Sequence, residues 1–127
     1  MNNDDNVLRI GLLNCSGLKN NISMIQQNTE HLGIDIIGLT ETWLQHELDV
    51  PQNVVAATIQ EKNICLMKNC FAGVATLKIS DAQLNTLYID HQRSLYNIVD
   101  IANITIIFIY LLPVILCLLV LQPLVLS

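Results

Sequence analysis

Positive charge is scarce in this sequence. Six Lys and Arg stand against 11 Asp and Glu in 127 residues, a formal net charge of −5, and the sequence pI is about 4.8. The cations, Arg9, Lys19, Lys62, Lys68, Lys78 and Arg93, are scattered singly. A protein that holds nucleic acid by phosphate contacts alone needs a basic face, so any nucleic-acid partner would require a metal or a further segment to supply positive charge. Charge of either sign is thin, 13% of residues against a globular norm of about 25%. After Arg93 the only charged side chain is Asp100, and residues 101–121 carry none.

Other absences narrow the field. Cys15, Cys65, Cys70 and Cys117 form no C-x-x-C pair and have no His at zinc spacing, which argues against a structural zinc. The start, "MNNDDNVLR", is acidic and polar, the reverse of a secretory signal. Cytosolic or nuclear synthesis with reduced thiols is the expectation, and the glycosylation patterns at Asn21 ("NIS") and Asn103 ("NIT") read as chance matches. The length suits one small domain.

What is present begins with a clear unit. Val7 to Asn14 ("VLRIGLLN") reads as a strand bounded by Cys15-Ser16-Gly17. Leu18, Ile22, Ile25, Thr29 and Leu32 then recur at helical spacing. Ser16 and Gly17 offer a start and Gly33 a stop. Ile34 to Thr40 reads as a second buried strand, so the segment is a βαβ unit with parallel strands and a helix from Leu18 to Leu32 whose Ile22, Ile25 and Leu32 face inward. Parallel strands joined by one crossover end at the same sheet edge, where ligands bind in α/β layers. Asn14 and Glu41 should therefore emerge side by side, an amide beside a carboxylate.

Beyond Trp43 the pattern weakens. Short strand-like runs occur at Val54 to Ile59 and Ile64 to Met67, and a clearer one at Phe71 to Ser80, with Gly73 at a position of close backbone approach. Leu84 to Ile89 and Ala102 to Tyr110 complete the candidate strands. Trp43 reads as a packing residue, and His31 and His46 as polar-face or loop residues. Thr40 is read as a β-former whose hydroxyl could also orient the strand end.

"LRIGLLNCSGL" followed by "IDIIGLTETWL" resembles the opening of the endonuclease/exonuclease/phosphatase fold, particularly the apurinic-type endonuclease domain of non-LTR retrotransposons. "FAGVATL" is similar to that family's "GGVAILV" strand, with Ala72 in place of the first glycine. "NITIIFIYLLP" is similar to its "LTIINVYRPP" strand, with a proline at Pro113. The likeness spans residues 7 to 113 and is densest over 7 to 44. It implies an α/β sandwich of two sheets, a catalytic Asn14 and Tyr110, and Glu41 as ligand to Mg²⁺ or Mn²⁺ in phosphodiester hydrolysis of DNA, with no small-molecule cofactor. A hard cation that keeps several waters needs no more than one protein carboxylate plus substrate phosphate.

The departures matter as much. Nothing after Tyr110 in this chain supplies the family's Asp-x-Asn, its further Asp or its closing Asp-His, and Leu111 stands where a basic residue is expected. Asp90-His91 precedes the tyrosine strand, so the order is wrong for that closing pair. The chain thus reads as a partial domain over 7–110, a retroelement-derived fragment of a magnesium-dependent nuclease lacking half its active site, and catalytically incomplete. A hydrophobic tail, 104–127, overlaps the domain's last strand.

That tail has three readings. The uncharged 101–121 run is long enough to be a transmembrane helix; Ile104 to Tyr110 fits a strand, and Pro113 and Pro123 interrupt a helix; or the frame leaves the family pattern after Tyr110 through frameshift or truncation, which suits the origin of the residues best. The competing function is a small single-pass, tail-anchored membrane protein with an N-terminal binding module. Localisation is nuclear or cytoplasmic by resemblance, and membrane if 101–121 inserts. The deciding feature is whether Ile104 to Tyr110 pairs beside "GVATL" or joins a helix running to Leu121, and its apolar face is expected to lack a covering sheet, making the chain membrane-associated or aggregating.

Overall fold

The computed structural model describes residues 7–59, 73–79, 83–91, 95–101, 103–111 and 114–121. The chain runs β1 (Ile10–Asn14), α1 (Leu18–His31), β2 (Ile36–Thr40), a 3-10 turn (Glu47–Asp49), β3 (Val54–Ala57), β4 (Val74–Lys78), β5 (Leu84–Ile89), β6 (Tyr96–Ile101), β7 (Ile104–Leu111) and β8 (Val114–Leu121). These form two four-stranded sheets, ordered β1-β2-β4-β3 and β5-β6-β7-β8. The first is mixed, with β1 parallel to β2 and the other pairs antiparallel; the second is wholly antiparallel.

The βαβ unit forms as its periodicity predicts. Asn14 lies opposite Thr40 at the end of the parallel ladder. The helix stops in a Schellman motif: Gly33 at φ 72 allows its own N–H to reach Glu30 O and that of Ile34 to reach Thr29 O, which satisfies the last carbonyls. The inward stripe is Leu18, Ile25 and Thr29, with Ile22 partly buried. Leu32 does not belong to it. It is the C-cap residue, past the last helical residue His31, is 66% exposed and joins neither buried cluster.

Two cores result from strand alternation. Ile37 and Leu39 of β2, with Ala75 and Leu77 of β4, face α1 and pack with Leu18 and Ile25. Ile36, Val74, Val99, Ile106, Phe108 and Tyr110 fill the space between the sheets. Gly38 lies on that inner side, and a Cβ there would come within 2.2 Å of Phe108 Cδ1, so the Phe108 ring occupies the room that the missing side chain leaves. Asn97 bridges the sheets: its Nδ2 donates to Ala56 O and Val74 O, 3.2 Å each.

The uncharged C-terminal run is β-structure over Ile104–Leu111 and Val114–Leu121, not one helix. Among the described residues no helix is long and apolar enough to cross a membrane. Ile104 to Tyr110 is a strand, but it lies between β6 and β8 rather than beside "GVATL" in one sheet. Its inner face is covered, contrary to expectation, because Ile106, Phe108 and Tyr110 pack against β2 and β4. A further strand at Tyr96–Ile101 has no alternation to mark it in the sequence, since its inward residues are Asn97 and Val99 and its outward ones include Tyr96 and Ile98. The strand-like run at Ile64 to Met67 lies outside the described residues, as do Phe71 and Ala72.

Replacing Gly38 by Ala should cost about 1–3 kcal/mol, the range for overpacking a close-packed core. Urea unfolding of Gly38→Ala, Phe108→Leu and the double variant measures it. The smaller ring should recover part of the loss, and strict additivity would show that the Gly38–Phe108 contact is not the constraint.

Candidate functional site

Three elements bring the site together at one end of the sandwich. The β1–β2 ladder continues beyond its strands: Cys15 N–H donates to Thr40 O (2.9 Å), Gly17 N–H to Glu41 O (2.8 Å) and Leu18 N–H to Thr42 O (2.9 Å). The two loops are thereby clasped edge to edge. Ser16, Glu41 and Trp43 all have positive φ, at 46, 54 and 59°, a backbone state that disfavours residues with a Cβ. The three interloop hydrogen bonds hold that geometry.

Within this clasp the side chains have defined orientations. Asn14 Oδ1 accepts from the Ser16 N–H (3.3 Å) and hydroxyl (3.4 Å), so its Nδ2 is left to donate, and it donates to Glu41 Oε2. Tyr110, at the end of β7, donates its hydroxyl to the same oxygen at 3.2 Å. Its phenol pKa is raised, first by burial and then by the hydrogen bond to and charge of Glu41. All three sequence-predicted site residues therefore converge on one carboxylate oxygen. Asn14 is solvent-exposed, Glu41 half-buried and Tyr110 buried, so the group opens outward at the rim.

The surrounding residues position the loops. Asn21, one helical turn into α1, donates its Nδ2 to Cys15 O (3.1 Å) and Gly17 O (2.8 Å); the amide that a glycan would need is thus engaged. This role had no signal in the sequence beyond an Asn at helical spacing from Gly17. Trp43 packs its ring on Gly17, where a Cβ would lie 2.7 Å from Cε3, consistent with a packing role. Gly73, at φ 128, would place a Cβ 2.3 Å from Thr42 Oγ1, the close approach read from its sequence context. The Thr40 and Thr42 hydroxyls are buried and take no hydrogen bond among the described residues, so Thr40 serves as a β-former.

The other candidates stay apart. Asp90 is buried in the β5–β6 turn, where its Oδ2 accepts from Leu95 N–H (3.3 Å), and His91 is exposed beside it. Leu95 O in turn accepts from Tyr110 N–H (2.8 Å), so this turn sits at the same end of the sandwich and touches β7 through Leu95, while no Asp90 or His91 side-chain bond to the Glu41 group is among those described. His31 and His46 are exposed. Among the described residues no three His, Cys, Asp or Glu side chains cluster as a ready metal cage. Comparison with protein-family models and with curated proteins gives no match.

Cys15 lies beneath the clasp, its thiol donating to Thr40 O (3.3 Å). Burial pushes its pKa from 9.0 to about 11, with the Glu41 charge adding to the rise and backbone hydrogen bonds opposing it. The folded thiol holds its proton more tightly than the unfolded one. Its contribution to stability is therefore complete below pH 9 and is lost as pH rises through about 11, at roughly 1.4 kcal/mol per pH unit. Denaturant unfolding between pH 8 and 11 should show this decline, and Cys15→Ala should remove one proton's share of the slope while lowering the neutral-pH baseline. An unchanged slope would mean that the thiol is not buried in solution.

Proposed function

We propose that this chain is the N-terminal part of a retroelement-derived, Mg²⁺-dependent endonuclease/exonuclease/phosphatase domain, and that these 127 residues are catalytically incomplete. The observation that carries the reading is the convergence of Asn14 Nδ2 and Tyr110 OH on Glu41 Oε2 at the carboxyl ends of β1, β2 and β7. The motif likeness is spread over four stretches of chain, three of which carry a proposed functional residue, and the fold draws those three residues to one oxygen. A mixed α/β architecture with two facing sheets is compatible with the same family.

The residues fit a hard cation, though sparingly. Glu41 accepts both neutral donors on Oε2 and takes no cationic partner among the described residues, which leaves a carboxylate charge at an open rim. Mg²⁺ and Mn²⁺ tolerate such a site because water fills most of their coordination shell. Glu41 would hold the ion, and the Asn14 amide would fix the carboxylate's orientation. The Tyr110 phenol, kept protonated by its surroundings, would donate a hydrogen bond at the same place. The ion, when bound, would polarise a phosphoryl oxygen.

Hydrolysis needs more than this. Positioning a water and stabilising phosphoryl charge each contribute orders of magnitude, and residues 111–127 contain no Asp, Asn or His to do either. DNA affinity would also be low, since the net charge is −5 and Lys19 is paired with Asp49 at 3.2 Å.

Calorimetric titration with Mg²⁺ and Mn²⁺ should give weak binding, with Kd of order millimolar, because one carboxylate leaves most of the coordination shell to water. Glu41→Gln should abolish it and Asp90→Asn should leave it intact. Tight binding indifferent to Glu41→Gln would overturn the assignment. The purified chain should not nick abasic-site DNA above background, and Mg²⁺-dependent nicking lost in both Asn14→Ala and Glu41→Ala would show that the site is complete.

A further inference from the structure

The two sheets have four edges, and they are finished differently. β3 and β5 are irregular, with register shifts at Val54/Ala56 and Thr86/Tyr88, and β5 is tied to the other sheet by Thr86 Oγ1 donating to Val55 O. Bulges of this kind blunt an edge against further pairing. β1 is short, at five residues. β8 has eight residues in unbroken register with β7, and no other described strand pairs with its outer side. Leu116, Leu118 and Val120 are exposed on one face of β8, and Leu119 on the other, at 37, 48, 51 and 55%. Leu12 of β1, which lies across the sandwich on the same side, is also exposed.

We propose that β8 pairs antiparallel with β8 of a second copy of this chain about a two-fold axis, joining two four-stranded sheets into one continuous sheet. Two physical arguments and one observation select this occupant. A lipid surface could cover the leucines, but it would leave the unpaired N–H and C=O groups of a strand edge without partners; another strand satisfies both. An antiparallel edge is complementary to its own copy by symmetry, as an isologous contact requires. The net charge of −5 would oppose association elsewhere, yet Ile104 to Leu121 contains no charged residue, so two copies meet here without like charges facing. The inference does not rest on the metal-site assignment, because the Glu41 group and the β8 edge share no residue.

Sedimentation velocity and amide hydrogen exchange on the full chain test it, at concentrations of order 0.1 mM, where an interface at the lower end of the stable size range is populated. The expected species has twice the 14.2 kDa chain mass, with β8 amides protected from exchange. Leu118→Lys and Val120→Lys should each weaken association at least tenfold while leaving the circular dichroism spectrum unchanged. If one variant fails to fold, the other decides. A folded monomer at that concentration would overturn the proposal. So would association that survives both lysines, or partition into phosphatidylcholine vesicles with β8 amides exchanging freely.

Discussion

The candidate site depends on one feature: the parallel pairing of β1 and β2 does not stop where the strands do. Hydrogen bonds from Cys15, Gly17 and Leu18 to the carbonyls of Thr40, Glu41 and Thr42 carry the ladder through both loops. The Leu18 bond also satisfies an N–H at the start of α1, which has no side-chain cap, so the helix start and the Glu41 loop stabilise one another. Without this clasp, the positive-φ state of Glu41 would be an uncompensated cost and the carboxylate would swing free in solvent. The crossover through α1 supplies the geometry, and Asn21 locks it by spanning Cys15 O and Gly17 O.

A second register, across the sandwich, delivers Tyr110. Phe108 packs on Gly38, and with side chains alternating at a period of two, the next inward residues toward the rim are Tyr110 on β7 and Thr40 on β2. Tyr110 is therefore held level with the end of β2, one residue short of Glu41. The glycine in "IIGLT" thus has a structural reason that reaches the site: a larger residue would push β7 outward and withdraw the phenol from the carboxylate. Asn97 maintains the same spacing farther along by tying β6 to Ala56 and Val74 of the opposite sheet.

How much of this was legible follows from where the information lies. β1, α1 and β2 were readable because helical and strand periods alternate cleanly there and Gly33 marks the turn; the adjacency of Asn14 and Glu41 then follows from handed, parallel connection alone. Leu32 continues the helical period yet lies past the helix end, a boundary that periodicity alone does not mark. β6 was hidden by Asn97, a polar residue facing inward to bind backbone carbonyls. Residues 104–121 were ambiguous because a strand apolar on both faces has no alternation, so it shares its pattern with a membrane helix. The meeting of Tyr110 with Glu41 spans 69 positions and depends on inter-sheet packing, which no local pattern encodes; only the family resemblance pointed to it.

The opening through which Glu41 faces solvent bears on what the residue is for. A carboxylate used structurally can cap a helix or pair with a nearby cation, and either use offsets its charge. Glu41 does neither among the described residues: α1 starts on a carbonyl of the neighbouring loop, and Lys19, in the first turn of that helix, pairs with Asp49 instead. Its two partners are neutral donors on a single oxygen, so they orient the group while leaving its net charge in place. Two strands, a glycine slot and a strained backbone position cooperate to hold an unneutralised acid at an accessible rim. On the proposed reading, a small hard cation would complete that arrangement, since the sequence holds only six Lys and Arg to do so.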